Sequence, residues 1–212
     1  MRDFPVFTTE NGVGSLVLKE IPYRKVAYIT IQDSLFPEAF LSECVDFCRA
    51  VGAERIYACG HEYLKTYPMH TKVIQMCGSV FALEDTDACL FPVTDMTLDR
   101  WREIYNTRMK LVDNASYMSE QTARELLEGG DGYFIHRSGE LLGIGKASGN
   151  RIDCIASVKP GSGREILCAL ALGLLSDPLV LDVATTNTKA IQLYTSMGFI
   201  PTKEISTWYK II

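Results

Sequence analysis

The stretch Pro178–Phe199, PLVLDVATTNTKAIQLYTSMGF, decides the fold of this chain. Its first part, residues 179–184, is a short apolar run bounded by a proline and two threonines, which predicts a buried strand. Asn187 then occupies the position of a helix N-cap, where its side-chain oxygen can accept a free backbone N–H. Gly198 predicts the end of that helix, and Phe199 returns the chain to apolar surface.

One face of the predicted helix is apolar. Its members are Ala190, Leu193, Tyr194 and Met197, at offsets of three, four and seven from the first. This spacing places them on adjoining turns of one helix. By periodicity alone, an ordinary strand–helix–strand unit explains the whole stretch.

The residue types at these positions add a second reading. They form the pattern Asn187-x-x-Ala190-x-x-Leu193-Tyr194-x-x-x-Gly198-Phe199. This pattern resembles the closing motif of the GCN5-related N-acetyltransferases, the GNAT family of acyl-CoA-dependent enzymes. The resemblance implies that the helix runs alongside coenzyme A and that Asn187 contacts it. It also implies that the small Ala190 lets the backbone approach the cofactor, and that the Tyr194 hydroxyl lies near the thioester sulfur.

A glycine-bearing segment precedes this motif. It reads Val158-Lys159-Pro160-Gly161-Ser162-Gly163-Arg164-Glu165, between a predicted strand and a predicted helix. A Gly-x-Gly at such a junction lets successive backbone N–H groups point at a phosphate, and the helix dipole adds to the attraction. The segment resembles the pyrophosphate loop of the family, which implies that Gly161, Ser162, Gly163, Arg164 and Glu165 bind the cofactor. It is shorter than the family pattern, and Val158 stands where an Arg or Gln is usual.

Transfer of an acetyl group from a thioester to an amine needs a neutral amine, a stabilised oxyanion and a departing thiolate. By the resemblance, backbone N–H groups of Ile155, Ala156, Ser157 and Val158 stabilise the oxyanion. Tyr194 is the predicted general acid, because an unshifted tyrosine stays protonated at neutral pH and gives its proton most readily as negative charge builds.

Asp153 is the predicted general base. By the resemblance, it lies close to where many family members place a catalytic glutamate. Two alternatives stay open: Asp153 faces solvent or pairs with Arg151, or water relays the proton to Glu140 or Asp182. Asp182 lies inside an apolar run, so it needs a partner or a shifted pKa.

The predicted function is direct transfer of an acetyl group from acetyl-CoA to a primary amine of a small molecule or amino acid. The alternatives are a non-catalytic acyl-CoA-binding module and a regulatory protein. The seven cysteines are scattered and form no CxxC pair, so we expect no metal site.

The resemblance covers about residues 92–212. It implies an α/β (α+β) fold with a mixed, mostly antiparallel sheet flanked by helices. Residues 1–88 show the same order of hairpin, helix and strand without the motif. This predicts a degenerate GNAT-like domain that serves structure or homodimer formation. The alternative is that this domain shapes the substrate pocket. The predicted domains are therefore 1–88 and 89–212. Residues 200–204 and 206–211 are predicted to form a final hairpin.

Composition narrows the partners. Hydrophobic residues make up 47% of the 212, enough for a buried core, and the formal net charge is −5. That charge argues against nucleic acid or an anionic membrane as a main partner, since both demand concentrated Lys and Arg. With no apolar run near the ~20 residues of a membrane span and no signal-peptide core at the N-terminus, we expect a soluble, cytoplasmic protein.

Overall fold

Strands and helices alternate along the chain in the computed structural model, which describes residues 5–113, 115–174 and 176–212. The strands are β1 (Val6–Thr9), β2 (Gly12–Val17), β3 (Val26–Ser34), β4 (Arg55–Cys59), β5 (Met69–Gly78), β6 (Cys89–Pro92), β7 (Gly132–Arg137), β8 (Glu140–Ser148), β9 (Arg151–Ser157), β10 (Leu179–Ala184) and β11 (Ile200–Lys210). The helices are α1 (Ile21–Arg24), α2 (Pro37–Ala50), α3 (Leu98–Met109), α4 (Glu120–Gly129), α5 (Gly163–Leu174) and α6 (Thr188–Ser196). Helices and a mixed sheet thus make an α+β fold, as the sequence predicts.

The chain forms two compact units. The first consists of residues up to 73 together with 204–212, and the second of residues 74–203. The division into domains 1–88 and 89–212 stays a prediction from the sequence. β5 and β11 each contribute residues to both units, because the unit boundaries fall inside these two strands.

The first unit is built around a strand–helix–strand crossover. Its strands follow the order β1-β2-β3-β4-β11. β2 and β3 are antiparallel, whereas β3 and β4 are parallel and paired from Val26↔Arg55 to Thr30↔Cys59. α2 connects the two parallel strands and buries Phe40, Leu41, Cys44 and Cys48 against them. Pro37 occupies the first turn of α2, where its missing N–H leaves no helical bond unmade.

The second unit has helices on both faces of its sheet. The strand order is β5-β10-β9-β8-β7-β6, with β6 to β9 antiparallel and β9 parallel to β10. The successive residues Phe134 and Ile135 of β7 belong to different cores, as alternation along a strand requires. Ile135 packs with α5 and α6, and Phe134 packs with α3 and α4.

α6 ends where the sequence predicts. Gly198 has a φ of +85°, in the left-handed region that glycine adopts without strain. Its N–H bonds to the Thr195 carbonyl, and the Phe199 N–H bonds to the Tyr194 carbonyl at 3.0 Å. These two bonds form a Schellman motif, and the rings of Phe199 and Tyr194 lie 6.0 Å apart across it. The cap therefore fixes the side chain of Tyr194 against the core.

The predicted final hairpin is wrong. Residues 200–210 form one continuous strand, β11. Ile205 alone lies between the two predicted arms, and a β-branched residue does not favour a tight turn.

Among the residues that the structure describes, no helix combines the length and the apolar character needed to cross a membrane.

Replacing Gly198 with alanine tests the importance of the α6 cap. We expect Gly198→Ala to lower the free energy of unfolding by roughly 1 kcal/mol, since an L side chain strains the left-handed conformation. Gly198→Asn should cost less, because asparagine tolerates that conformation better. Urea denaturation followed by circular dichroism measures both. Equal stability of the wild type and the alanine variant would contradict a left-handed conformation at Gly198 in the α6 cap.

Candidate functional site

The parallel strands β9 and β10 separate soon after they begin. Their ladder contains the pairs Val180↔Arg151 and Leu181↔Ile152. Beyond these two pairs the strands are not paired with each other, although β9 continues to Ser157 and β10 to Ala184. All residues of both strands are among those that the structure describes. The two strands thus enclose an opening that widens toward their carboxyl ends, which we call the β9/β10 wedge.

Backbone N–H groups of β9 line the wedge. The Val158 N–H donates to the Leu142 carbonyl on the β8 side at 2.8 Å. Because successive N–H groups of a strand point to opposite sides, that of Ala156 also points to β8. Those of Ile155 and Ser157 point into the wedge.

Val158, the last of the four predicted oxyanion residues, has both backbone groups engaged within the protein. Its N–H is bonded to Leu142, and its carbonyl accepts a bond from Arg108 Nη2 at 3.0 Å. Of the predicted set, Ile155 and Ser157 are therefore the residues whose amides are available to a ligand in the wedge.

Asp153 lies in a β-bulge. Lys146 pairs with Cys154 and Ala147 with Ile152, so Asp153 is the extra residue of β9. Its Oδ2 lies 3.1 Å from Lys146 Nζ, and its Oδ1 accepts a bond from Arg151 Nε at 3.1 Å. Both carboxylate oxygens are thus held by cations, and the ion pair with Arg151 is the arrangement that the sequence left open as an alternative.

Tyr194 projects from α6 toward β9. Its side chain is 8% exposed, and burial raises the pKa of its phenol, with a further upward contribution from the neighbouring Cys154 sulfur. The phenol therefore stays protonated at neutral pH. Burial, with the charge of Asp153, likewise raises the pKa of the Cys154 thiol to about 12.

The glycine-bearing loop after β9 is a tight turn. Pro160 and Gly161 are its central residues, and Gly161 has a φ of +85°. The Ser162 N–H closes the turn on the Lys159 carbonyl at 3.4 Å, in the pattern of a type II turn. The buried Ser162 hydroxyl lies 2.8 Å from that carbonyl oxygen and 3.0 Å from that of Leu142. Ser162 therefore fixes the loop, and its side chain faces the protein.

The amino terminus of α5 follows this turn directly. The first helical bond runs from the Ile166 N–H to the Ser162 carbonyl, so the N–H groups of residues 163–165 precede the helical ladder. A Cβ at Gly163 would lie 2.9 Å from Leu193 Cδ2, so a larger residue here requires the Leu193 side chain to shift. Arg164 reaches Ser196 Oγ at 3.1 Å, and Glu165 forms an ion pair with Arg137. Anion binding at this end of the wedge would use backbone amides and the Arg164 guanidinium.

Asn187 caps α6 as predicted. Its side-chain oxygen accepts the Ala190 N–H at 3.3 Å, and Ala190 is half-buried against the core. The capping bond uses one of the two acceptor sites of that oxygen.

Four charged side chains are linked by ion pairs across three strands: Lys146 of β8, Asp153 and Arg151 of β9, and Asp182 of β10. Asp182 thereby has the partner that its apolar surroundings require. The sequence did not predict the part that Lys146 takes. The contact between Lys146 and Asp153 could be predicted only from the register of β8 and β9, because the bulge at Asp153 interrupts the regular alternation of side chains along β9.

Two further observations delimit the site. A cavity of about 720 Å³ lies against β6, β7 and the start of α3, with Phe91, Phe134 and His136 in its lining. It is separated from the wedge by β8 in the strand order and is not part of it.

Within the described ranges, no cluster of three or more His, Cys, Asp or Glu side chains is arranged to hold a metal ion.

Cysteine labelling tests the environment of the wedge. At pH 8, a thiol with a pKa of about 12 is ionised in about one molecule in 10⁴, so Cys154 should resist iodoacetamide. The exposed Cys89 of β6 should react first. Peptide mapping by mass spectrometry measures both. Equal labelling of the two cysteines in the folded protein would contradict the raised pKa of the Cys154 thiol.

No protein-family model matches the chain, and no curated protein matches it significantly. Solved structures do match. A functionally unknown conserved protein from Staphylococcus epidermidis is 11% identical, with a TM-score of 0.59 over 99% of this chain and 94% of that one. A GCN5-related N-acetyltransferase from Kribbella flavida is 12% identical, with a TM-score of 0.55 over 99% and 89%.

An acetyltransferase of the GNAT family from Colwellia psychrerythraea is also 12% identical, with a TM-score of 0.52 over 97% of this chain and 84% of that one. Identities this low compare folds and not activities. This chain therefore has a GNAT-like fold.

Proposed function

We propose that the protein is an acetyl-CoA-dependent N-acetyltransferase that moves an acetyl group directly to a primary amine of a small molecule or amino acid. The observation that carries the proposal is the β9/β10 wedge. It combines two inward-facing backbone amides, a protonated phenol and a helix amino terminus at its open end. The GNAT-like fold supports the same activity.

The wedge suits a pantetheine arm. An unpaired strand edge offers N–H and C=O groups to an extended ligand with amides of its own, in the manner of an added strand. The amides of Ile155 and Ser157 face that position. The diphosphate would lie at the carboxyl end of β9, where residues 163–165 present N–H groups and α5 directs its positive end outward.

Tyr194 is the proposed general acid. The amine nitrogen attacks the thioester carbonyl, a C–N bond forms, and the C–S bond breaks. A protonated phenol beside the sulfur donates a hydrogen bond to the developing thiolate and then its proton. The base takes one proton from the ammonium form of the amine before attack, and the second proton, which the nitrogen loses after the C–N bond forms, restores the phenol. The buried setting of Tyr194 strengthens that hydrogen bond because water does not screen it.

Asp153 remains the proposed base, through its position on β9 before the inward-facing amides. Because Lys146 and Arg151 hold its oxygens, proton uptake requires that one ion pair loosens when the amine binds.

A non-catalytic acyl-CoA-binding module is the second candidate. The observation in its favour is the short loop, in which the Ser162 hydroxyl and the Val158 N–H both bond to protein groups. This leaves fewer donors for a diphosphate and for an oxyanion.

Acetyl-CoA binding and turnover separate these candidates. We expect isothermal titration to show binding of acetyl-CoA, and a thiol-detection assay with a panel of amines and amino acids to show release of CoA. Tyr194→Phe should lower the release rate by about a hundredfold, the range typical of a lost general acid, and leave acetyl-CoA affinity unchanged. Binding without release from any amine would favour the module. Absence of binding would refute both.

The role of Asp153 is tested by the pH dependence of turnover. An essential base gives an acidic limb in the rate profile, because the rate falls as the base becomes protonated. We expect Asp153→Asn to remove that limb and lower the plateau by about a hundredfold. If the pH–rate profile of the variant equals that of the wild type, Asp153 is not the base and only forms ion pairs.

A further inference from the structure

The narrow end of the wedge is closed by an ion pair. Arg151 and Asp182 bond through Nη2 and Oδ2, from β9 to β10. This contact lies where the ladder ends, because Arg151 belongs to the first recorded pair and Asp182 follows Leu181 of the second. Arg151 also binds Asp153 through Nε, so one guanidinium holds two carboxylates.

The pair is held in place by more than its own attraction. The side chains of Arg151 and Asp182 are 39% and 27% exposed, so water screens them only in part. Arg151 uses two different nitrogens, and charge-assisted bonds from a planar guanidinium fix its orientation. The other oxygen of Asp182, Oδ1, is buried and has no hydrogen-bond partner in the part of the chain that the structure describes. Asp182 therefore depends on Arg151 for its bonding.

The distance from this pair to the reacting atoms follows from the strand. Tyr194 belongs to the same core cluster as Ile152 and Ile155 of β9, and the sulfur of Cys154, two residues beyond Ile152, helps to raise the pKa of its phenol. Two residues of a regular strand span roughly 6–7 Å, and the bulge at Asp153 makes this span shorter. A thioester whose sulfur lies beside Tyr194 and whose diphosphate lies at the open end directs its acyl group toward the narrow end. The acyl group then meets Arg151 and Asp182 within a few ångströms.

We propose that the Arg151–Asp182 ion pair forms the floor of the acyl site and restricts it to short acyl groups such as acetyl. This inference rests on the proposed function, because it assumes that the wedge holds an acyl-CoA. A longer alkyl chain would have to displace the pair, and that would leave the partly buried Asp182 carboxylate without its cation. The charged floor therefore admits short acyl groups and disfavours acyl groups with a longer apolar chain.

Binding of acetyl-, propionyl- and butyryl-CoA tests this role without knowledge of the amine. We expect the wild type to bind acetyl-CoA more tightly than butyryl-CoA. In the double variant Arg151→Ala/Asp182→Ala, the ratio of the two dissociation constants should fall by about tenfold, the effect of one or two methylenes in a pocket. Both partners are removed together so that Asp182 is not left as an unpaired charge, and Asp153 keeps its ion pair with Lys146. Isothermal titration measures all three ligands.

A matched control is Arg102→Ala. Arg102 of α3 also pairs with two carboxylates, Asp99 and Glu120, and takes no part in the wedge. Its acyl-CoA ratios should equal those of the wild type. If the double variant does not fold, as judged by thermal melting, Asp182→Glu gives the complementary test. Its additional methylene pushes the floor upward, so discrimination against propionyl-CoA should increase.

The outcomes are distinct. Unchanged ratios in a folded double variant, or in Asp182→Glu, overturn the assignment of the floor, while acetyl-CoA binding and CoA release by the wild type uphold the proposed function. Failure of the wild type to bind acetyl-CoA overturns the proposed function, and the floor with it.

Discussion

The parting of β9 from β10 is the constraint on which the site depends. Parallel strands normally satisfy their backbone groups by pairing along their length, and a buried N–H without a partner costs about 1–3 kcal/mol. After two residue pairs, the inner edges of β9 and β10 have no strand to pair with. The fold tolerates this because the opening widens toward the surface, where water or an extended ligand can take those bonds.

The surroundings of the wedge hold it open from several sides. The bulge at Asp153 bends β9, and the Schellman cap at Gly198 fixes Tyr194 against Phe199. The Pro160–Gly161 turn brings the start of α5 to the end of β9, and Ser162 ties that turn to β8. Each of these devices uses bonds within the protein, so the site exists before any ligand binds. Preorganisation of this kind lowers the entropy that binding loses.

The first unit supplies an internal comparison. Its parallel strands β3 and β4 are joined over five residue pairs, from Val26↔Arg55 to Thr30↔Cys59, whereas β9 and β10 share two. A sheet that stays paired leaves no edge for a pantetheine arm. The sequence around β4 also lacks the Asn-x-x-Ala-x-x-Leu-Tyr pattern. The first unit therefore has a strand–helix–strand order like that of the second, but its parallel strands stay paired.

The sequence by itself determined the elements and the ends of the decisive stretch. The α6 cap residues, its apolar face and the strand before it follow from local rules, because capping, turn conformation and helical spacing act within a few residues. Only the tertiary structure decided which groups are available to a ligand. The hydrogen bonds of Val158, the inward-facing amides of Ile155 and Ser157, and the ion pair between Arg151 and Asp182 depend on strand register. Register joins residues far apart in the chain, and no local pattern encodes it.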